Sequence, residues 1–405
     1  MNSQKPVVTS QQASTIQNDW IVFFGEDWGR HNSTGQYLAS ALVEMKRVLW
    51  VNSIGLRVPK LDLADLRRIA QKLVDFFTSL ATRPRSAVGE HEEQPGIIVA
   101  KPLAIPFLRS AIVRWINRRI VGQYLSGYLG SLSIDKPLVI TACPSTADVM
   151  DNFGSCRRVY YCADEHSELP GMDRELVVEL ELALMKRVDV VICTSRALWN
   201  TKRELHSRVY YLPHGVNYSH MSRAVRHKEE APQDLVGFSG PIVGYVGLIG
   251  EHLDLELVDF VAERLPWANF VMVGPVEVGL AWLPRRRNIV YLGAKTYREI
   301  PAYMSNVDLA ILPWNSGARN RYANPTKLRE YLAAGCAVVS TEHPEVMNLS
   351  ADVYCVKNKE EFAERVRGLL EMHPQRSRAE ISQSMAGHDW SVRAAELLRF
   401  VAGPE

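Results

Sequence analysis

Residues 308–341 read DLAILPWNSGARNRYANPTKLREYLAAGCAVVST. A short apolar run, Leu309–Leu312, enters a polar loop at Pro313-Trp314, and a helical pattern opens after Asn324-Pro325 and returns to a second apolar run, Ala337–Ser340. Strand, helix and strand in that order form a parallel βαβ unit. Asn before Pro is a helix-start signal, with Asn324 as N-cap and Pro325 at the first helical position. Thr326 and Lys327 then fall in the first turn, where free backbone N–H groups and the positive end of the helix dipole attract anions. A lysine there opposes the dipole and is better satisfied by an anion, for which a diphosphate is suited. Glu330, one turn later on the same face, is placed to accept hydrogen bonds from ribose hydroxyls. The alternative is a surface Lys–Glu pair worth a few tenths of a kcal/mol.

Outward from this segment, strand-like runs at Ile242–Val246, Phe270–Val273, Ile289–Leu292 and Val353–Val356 alternate with helical stretches. The first of them ends in Gly244-Tyr245-Val246-Gly247-Leu248-Ile249-Gly250, which is neither the GxGxxG of a dinucleotide fold nor a P-loop. With Val273-Gly274-Pro275 and the Lys327 helix, it gathers strand ends around one crevice, where open α/β sheets bind ligands. The candidate ligand-binding residues of this crevice are Gly247, Leu248, Gly274, Arg319, Arg321, Asn324, Thr326, Lys327 and Glu330.

The preceding half repeats the alternation. Ile21–Gly25, Val48–Val51, Ile97–Ala100, Leu138–Ala142, Val159–Cys162, Val190–Cys193 and Val209–Leu212 read as strands, and helical stretches are expected at 61–80, 107–129, 173–187 and 197–206. Two doubly wound Rossmann-like domains follow. The expected limits are 1–18 for a disordered tail, 19–220 for the first domain, 221–385 for the second and 386–405 for a terminal helix packing back on the first. The polar, aperiodic stretch Ser222–Gly240 reads as the linker.

With 405 residues the chain exceeds one hydrophobic core. The 47 Lys plus Arg against 45 Asp plus Glu leave a net charge of +2, too little to gather a nucleic acid. Six scattered cysteines show no zinc spacing and fit a reducing compartment. The first 18 residues lack the apolar core of a signal or anchor, so a cytoplasmic location is expected.

In the first half, Asp164 ends the strand Val159–Cys162 and begins Asp164-Glu165-His166. A carboxylate at a strand's carboxyl end can take the proton of an attacking hydroxyl; the alternative is a loop Asp that caps the next segment. The loop Glu26–Ser33 is dense in groups that stack on or hydrogen-bond a sugar, with Asp27, Trp28, Arg30 and His31 as candidates. Residues 106–128 mix Phe107, Ile112 and Trp115 with Arg109, Arg114, Arg118 and Arg119, the pattern of a helix that lies on anionic lipid; its alternative is a sheet-packed helix with a solvated basic face.

The segments YYCADEH, VDVVICTSRAL, LPHGV, PIVGYVG, DLAILPW and NPTKLREYLAAGCAVVST together resemble the GT-B glycosyltransferases, group 1 and family 4-like, of bacterial polysaccharide synthesis. The pattern is similar to the teichuronic-acid type and, more distantly, to xanthan-type glucuronosyltransferases. The resemblance implies two Rossmann-like domains facing across a cleft, a nucleotide-sugar donor, commonly a UDP-sugar, in the second domain, and a glycan or lipid-linked acceptor. It implies that Glu330 contacts the ribose, that Lys327 binds the donor, that Asp164 is the base, and that the loop after the first strand faces acceptor. The first Glu of the family's Glu-x7-Glu motif falls at Tyr322, which weakens transfer of a retaining mechanism. No cofactor and no metal is expected. Two rivals stay open: a nucleotide-sugar epimerase on the same fold, and a non-catalytic nucleotide- or sugar-binding subunit.

Overall fold

Runs such as Ile21–Phe24, Leu49–Val51 and Val190–Cys193 are apolar at every position, which suits strands covered on both faces, and these residues are almost fully buried. A computed structural model describes residues 19–29, 33–55, 96–226, 230–347, 349–372 and 376–403. They form two units, one comprising residues up to Thr194 with Leu198–Leu212 and Arg393 onward, the other Ser195–Ala197 with Pro213–Val392.

The first unit holds β1 (Trp20–Phe24), β2 (Arg47–Val51), β3 (Ile97–Ala100), β4 (Leu138–Thr141), β5 (Arg158–Cys162), β6 (Val190–Cys193) and β7 (Val209–Tyr211). Their order is β3-β2-β1-β4-β5-β6-β7, all parallel. The second holds β8 (Ile242–Val246), β9 (Asn269–Val273), β10 (Ile289–Gly293), β11 (Leu309–Leu312), β12 (Val338–Thr341) and β13 (Val353–Val356), also parallel, in the order β10-β9-β8-β11-β12-β13. Each sheet is wound outward in both directions from a central pair, β1/β4 in one and β8/β11 in the other. Where the winding reverses, the two connections leave to opposite sides and open a crevice at the carboxyl ends of the strands.

The division of the chain differs from the expected one. The units part at Leu212/Pro213, so the helix Tyr218–Met221, expected at the end of the first domain, belongs to the second unit, and the expected linker Ser222–Gly240 carries the helix Arg223–Arg226 of the same unit. Among the described residues of Ser222–Gly240, Ala224 and Leu235 are buried in the core and Phe238 packs against it, too few to write a periodicity. The terminal helix is Trp390–Ala402, and from Arg393 onward it belongs to the first unit. There Phe400 stacks on Tyr210 at 4.6 Å, and the Phe400 carbonyl accepts from Arg208 at 3.4 Å. The expected tail at 1–18 and helix at 61–80 lie outside the described residues.

One strand end is fixed by a glycine contact. Gly274 follows β9 at φ +145°, and a Cβ there would overlap the carbonyl oxygen of Gly247, which follows β8. Backbone cannot swing away as a side chain can, so Gly274→Ala should cost roughly 3 kcal/mol or more. Urea melts of the two proteins measure this; equal midpoints would show that the strand ends separate freely.

Candidate functional site

In the second unit, the crevice between β8 and β11 is built by the glycine contact and by one helix. The Gly247 N–H donates to the Val273 carbonyl at 2.8 Å, and Ile249 N–H to that of Pro275 at 2.9 Å, so the loops after β8 and β9 run together. The Lys327 side chain lies on this backbone: a Cβ on Gly247 would overlap its Cε. The helix carrying Lys327, Thr326–Ala333, is held to the end of β8 by Tyr331. Its buried hydroxyl accepts the Val246 N–H at 2.8 Å and donates to the Val246 carbonyl at 2.8 Å. Leu248 continues the loop, its carbonyl accepting from the Tyr245 hydroxyl at 2.9 Å. Gly247, Leu248, Gly274 and Lys327 are thus brought together.

The helix start departs from expectation. Pro325, not Asn324, occupies the N-cap, and no side chain caps the first turn. Asn324 turns inward, donating to Glu345 Oε2 at 2.8 Å and accepting from Arg329 at 2.6 Å. The cause is Arg329, a residue only 2% exposed, whose buried guanidinium demands acceptors inside the protein. The first-turn N–H groups of Thr326 and Lys327 are therefore left without a side-chain cap. Lys327 Nζ lies 3.6 Å from Glu330, so the pair named as the alternative is formed, with both groups partly exposed in the crevice.

Arg319 sits on the short helix Ala318–Tyr322. Burial first, then the charges of Arg319 and Lys327, push His252 down to about 4, which leaves it a neutral imidazole. The Tyr245 hydroxyl already spends its proton on Leu248, so His252 Nε2, 3.3 Å away, is its donor. Asn320 ties the loop, donating to the His252 carbonyl at 2.9 Å and accepting from His343 Nε2 at 2.6 Å. Arg319 joins Lys327 in one electropositive region. Arg321 is exposed, and no contact brings it to the others; Tyr322 is partly exposed.

In the first unit, the carboxyl ends of β1, β4 and β5 gather carboxylates. Asp164 follows β5, and Glu26 and Asp27 follow β1; β4, the strand between them, is followed by the small residues Ala142 and Cys143. Burial, then Asp164, then Asp27 push the Glu26 carboxyl up to about 7. No side chain caps the turn His166–Glu168, so Asp164 is not the cap named as its alternative role. Its neighbours hold the loop: His166 Nε2 meets the Ala142 carbonyl at 3.0 Å, and Glu165 accepts from Lys202 Nζ at 2.9 Å. Lys202 also donates to Glu181 at 2.7 Å, which accepts from Tyr160 at 2.8 Å. Burial alone would raise Glu165, but the charge and hydrogen bond of Lys202 hold it below its ordinary value.

Trp28 packs edge-on against Trp50 at 4.9 Å, and its backbone N–H donates to Asn52 Oδ1 at 3.1 Å. Gly25 is needed beneath the same ring, because a Cβ there would overlap Trp50. Arg30 and His31 lie outside the described residues. Sequence reasoning alone does not single out Glu26, His252 or Tyr331. The signal for Glu26 is its place one residue beyond a strand, but its partner across β4 follows only from the strand order. Among the described residues, no group of three or more His, Cys, Asp or Glu side chains is arranged to hold a metal ion.

Residues 255–399 match the family described as "Glycosyl transferase-like". Over 186 residues the chain is 30% identical to TuaH of Bacillus subtilis strain 168, assigned as a teichuronic acid biosynthesis glycosyltransferase; this alignment takes in 44% of the chain and 46% of that relative, about half its length. Among solved structures, Anabaena HepE in complex with UDP and glucose superposes with a TM-score of 0.64 at 14% identity, over 94% of this chain and 98% of that one. Sucrose-phosphate synthase from Thermosynechococcus elongatus gives 0.63 at 14%, over 94% and 97%. A Rickettsia africae glycosyltransferase gives 0.65 at 11%, over 96% and 100%. At such identities the structures speak for fold alone. By fold over nearly its whole length, and by sequence over most of its second unit, the chain is similar to the GT-B glycosyltransferases.

Proposed function

We propose that the chain is a glycosyltransferase that moves a sugar from a nucleotide-sugar donor, a UDP-sugar, to a glycan or lipid-linked acceptor in polysaccharide synthesis. The observation that carries the reading is Lys327 lying across Gly247 at the reversal of the second sheet, with an uncapped helix N-terminus beside it. Close backbone approach, open N–H groups and a lysine are what a diphosphate requires. As the anomeric bond breaks, charge grows on the leaving diphosphate, and Lys327, Arg319 and the first-turn N–H groups stabilise it. Glu330 takes the ribose hydroxyls. The relatives support the donor class: a neighbouring structure is a complex with UDP and glucose, and TuaH is assigned as a glycosyltransferase.

In this reading Asp164 takes the proton of the acceptor hydroxyl. Beside it Glu26, pushed up to about 7 by burial first and then by Asp164 and Asp27, holds its proton below that pH. Asp27 and Trp28 contribute to the acceptor side. Incubating the protein with a panel of UDP-sugars, with and without glycan acceptors, tests the reading. Acceptor-dependent UDP release supports transfer; conversion of the sugar without acceptor, or binding without turnover, overturns it.

We further propose a peripheral membrane location, since no described helix is long and apolar enough to span a bilayer and lipid-linked acceptors lie at its surface. The helix Ala111–Ser131 and the turn before it expose Phe107, Ile112 and Trp115. Its basic residues are less available than the sequence suggests. Arg109 pairs with Asp173, Arg114 with Glu179 and Arg118 with Asp151, while Arg119 lies over Trp115. Contact through this helix is therefore more apolar than electrostatic.

Lys327→Ala should weaken nucleoside diphosphate binding about ten- to a hundredfold by calorimetry, the share of one or two charge-assisted hydrogen bonds. An unchanged affinity in the folded variant removes Lys327 from the site. Glu330→Gln should weaken the nucleotide and spare pyrophosphate; equal losses contradict the ribose role.

Asp164→Asn should keep the fold and donor affinity and lower turnover about a hundredfold or more, the share of a general base. Near-normal turnover with a demonstrated acceptor would leave Asp164 an orienting residue.

Glu26 gives a pH dependence of stability. Its value in the folded state, about 7, lies above the ordinary 4.5, so between those values the folded protein holds the extra proton. Stability contributed below pH 4.5 is lost as pH rises through 7. Glu26→Gln should remove that loss, gaining up to about 3 kcal/mol on the parent at pH 8 relative to pH 4.5. Urea melts at both values check it, and a difference that does not change with pH would exclude the raised carboxyl.

A further inference from the structure

The loop after β9 presents an apolar tip that the site does not use. Residues 278–287 read VGLAWLPRRR, with no acidic residue. Its apolar side chains divide sharply. Val278 and Leu283 pack against the core of the second unit, whereas Leu280 is 68% and Trp282 78% exposed. Between the two anchors a single 3-10 turn, Leu280–Trp282, lifts both side chains outward, closed by the Trp282 N–H donating to the Gly279 carbonyl at 2.9 Å. The base of the loop is clamped. Arg286 makes two hydrogen bonds of 2.6 Å to Asp259 and lies 3.3 Å from Glu263, and the Pro284 carbonyl accepts from Tyr291 at 3.3 Å. The outward pose is thus held by the fold.

The arginines divide in the same way. Arg286 is neutralised by Asp259 and Glu263, while its neighbours Arg285 and Arg287 are exposed, and among the described residues no carboxylate pairs with either. A Trp and a Leu projecting beside two uncompensated arginines is the chemistry of a bilayer interface. The indole and isobutyl groups sink to the headgroup level, and the guanidinium groups meet lipid phosphates. A second copy of the chain is a poorer occupant, since a symmetric contact of two such loops would set arginine against arginine.

We propose that residues 278–287 form a membrane-insertion element of the second unit, which seats Leu280 and Trp282 in the headgroup region of an anionic bilayer with Arg285 and Arg287 on its phosphates. The proposal refines the peripheral location and is independent of the helix Ala111–Ser131. The loop continues from the glycine crevice, the Glu277 N–H donating to the Ile249 carbonyl at 2.9 Å. Insertion therefore brings the donor-side crevice of this unit to the lipid surface.

The test is co-sedimentation of the full chain with vesicles of phosphatidylcholine alone and of phosphatidylcholine with phosphatidylglycerol. The wild type should partition onto the anionic vesicles and much less onto the neutral ones. Leu280→Ser with Trp282→Ser should lower that partition at least about tenfold, and Arg285→Ser or Arg287→Ser about fivefold each, with melting temperature and UDP affinity unchanged. Phe107→Ser with Trp115→Ser separates the two surfaces: if it alone abolishes binding, the helix is the anchor and this proposal falls. Wild-type partition in the loop variants overturns it as well. So does sedimentation showing that the wild type self-associates through Trp282 while its vesicle binding is unaltered.

Discussion

Two peptide backbones touching without side chains, at Gly247 and Gly274, set the geometry on which the second unit's crevice depends. The contact lets the ends of β8 and β9 approach more closely than any Cβ would allow, and it makes a floor of backbone on which Lys327 lies. Tyr331 fixes the other wall by spending both hydrogen-bonding capacities of its hydroxyl on Val246. Strand end, glycine loop and helix start are thereby locked to one another before any ligand arrives. Such preorganisation is what the proposed role of Lys327 in stabilising a leaving diphosphate requires.

The two units place opposite kinds of charge at equivalent points of their sheets. At the reversal of the second sheet, Lys327 and Arg319 act on a histidine that burial has already made neutral. At the reversal of the first, burial first and then the neighbouring Asp164 and Asp27 push the Glu26 carboxyl up to about 7. The first arrangement suits a polyanion and the second a proton transfer. Both follow from one topological rule, since each pair of strands that starts the winding leaves its carboxyl ends uncovered.

Much of this can be read from the chain because the strands are buried on both faces and so write themselves as unbroken apolar runs. The DLAIL and CAVVS runs, the glycines after β8 and β9, and Lys327 are legible in that way. What is hidden depends on neighbours distant in sequence. Glu26 becomes special only when β4 inserts between β1 and β5 with small residues at its end. The helices at 218–226 are masked because a short helix needs only one or two buried side chains, and Met221 and Ala224 write no periodicity in a polar stretch. The arginines of residues 109–118 look like a basic face because their partners, Asp173, Glu179 and Asp151, come from other elements.

The start of the Lys327 helix is where sequence and structure differ most usefully, because local preference and tertiary demand pull Asn324 in opposite directions. As an N-cap, its side-chain oxygen would accept a first-turn N–H and satisfy one of the donors that an anion needs. The buried guanidinium of Arg329 takes that oxygen instead, and Glu345 Oε2 accepts from the Asn324 amide while its other oxygen accepts the Arg196 N–H at 2.5 Å. Capping typically contributes about 1 kcal/mol, whereas leaving a buried guanidinium without acceptors costs several times that. The demand of the guanidinium therefore prevails over the cap, and the consequence is a helix that reaches the crevice with its first N–H groups uncapped beside Lys327. The inward turn of Asn324 thus leaves the first turn of this helix without a side-chain cap, the arrangement on which the proposed donor site rests.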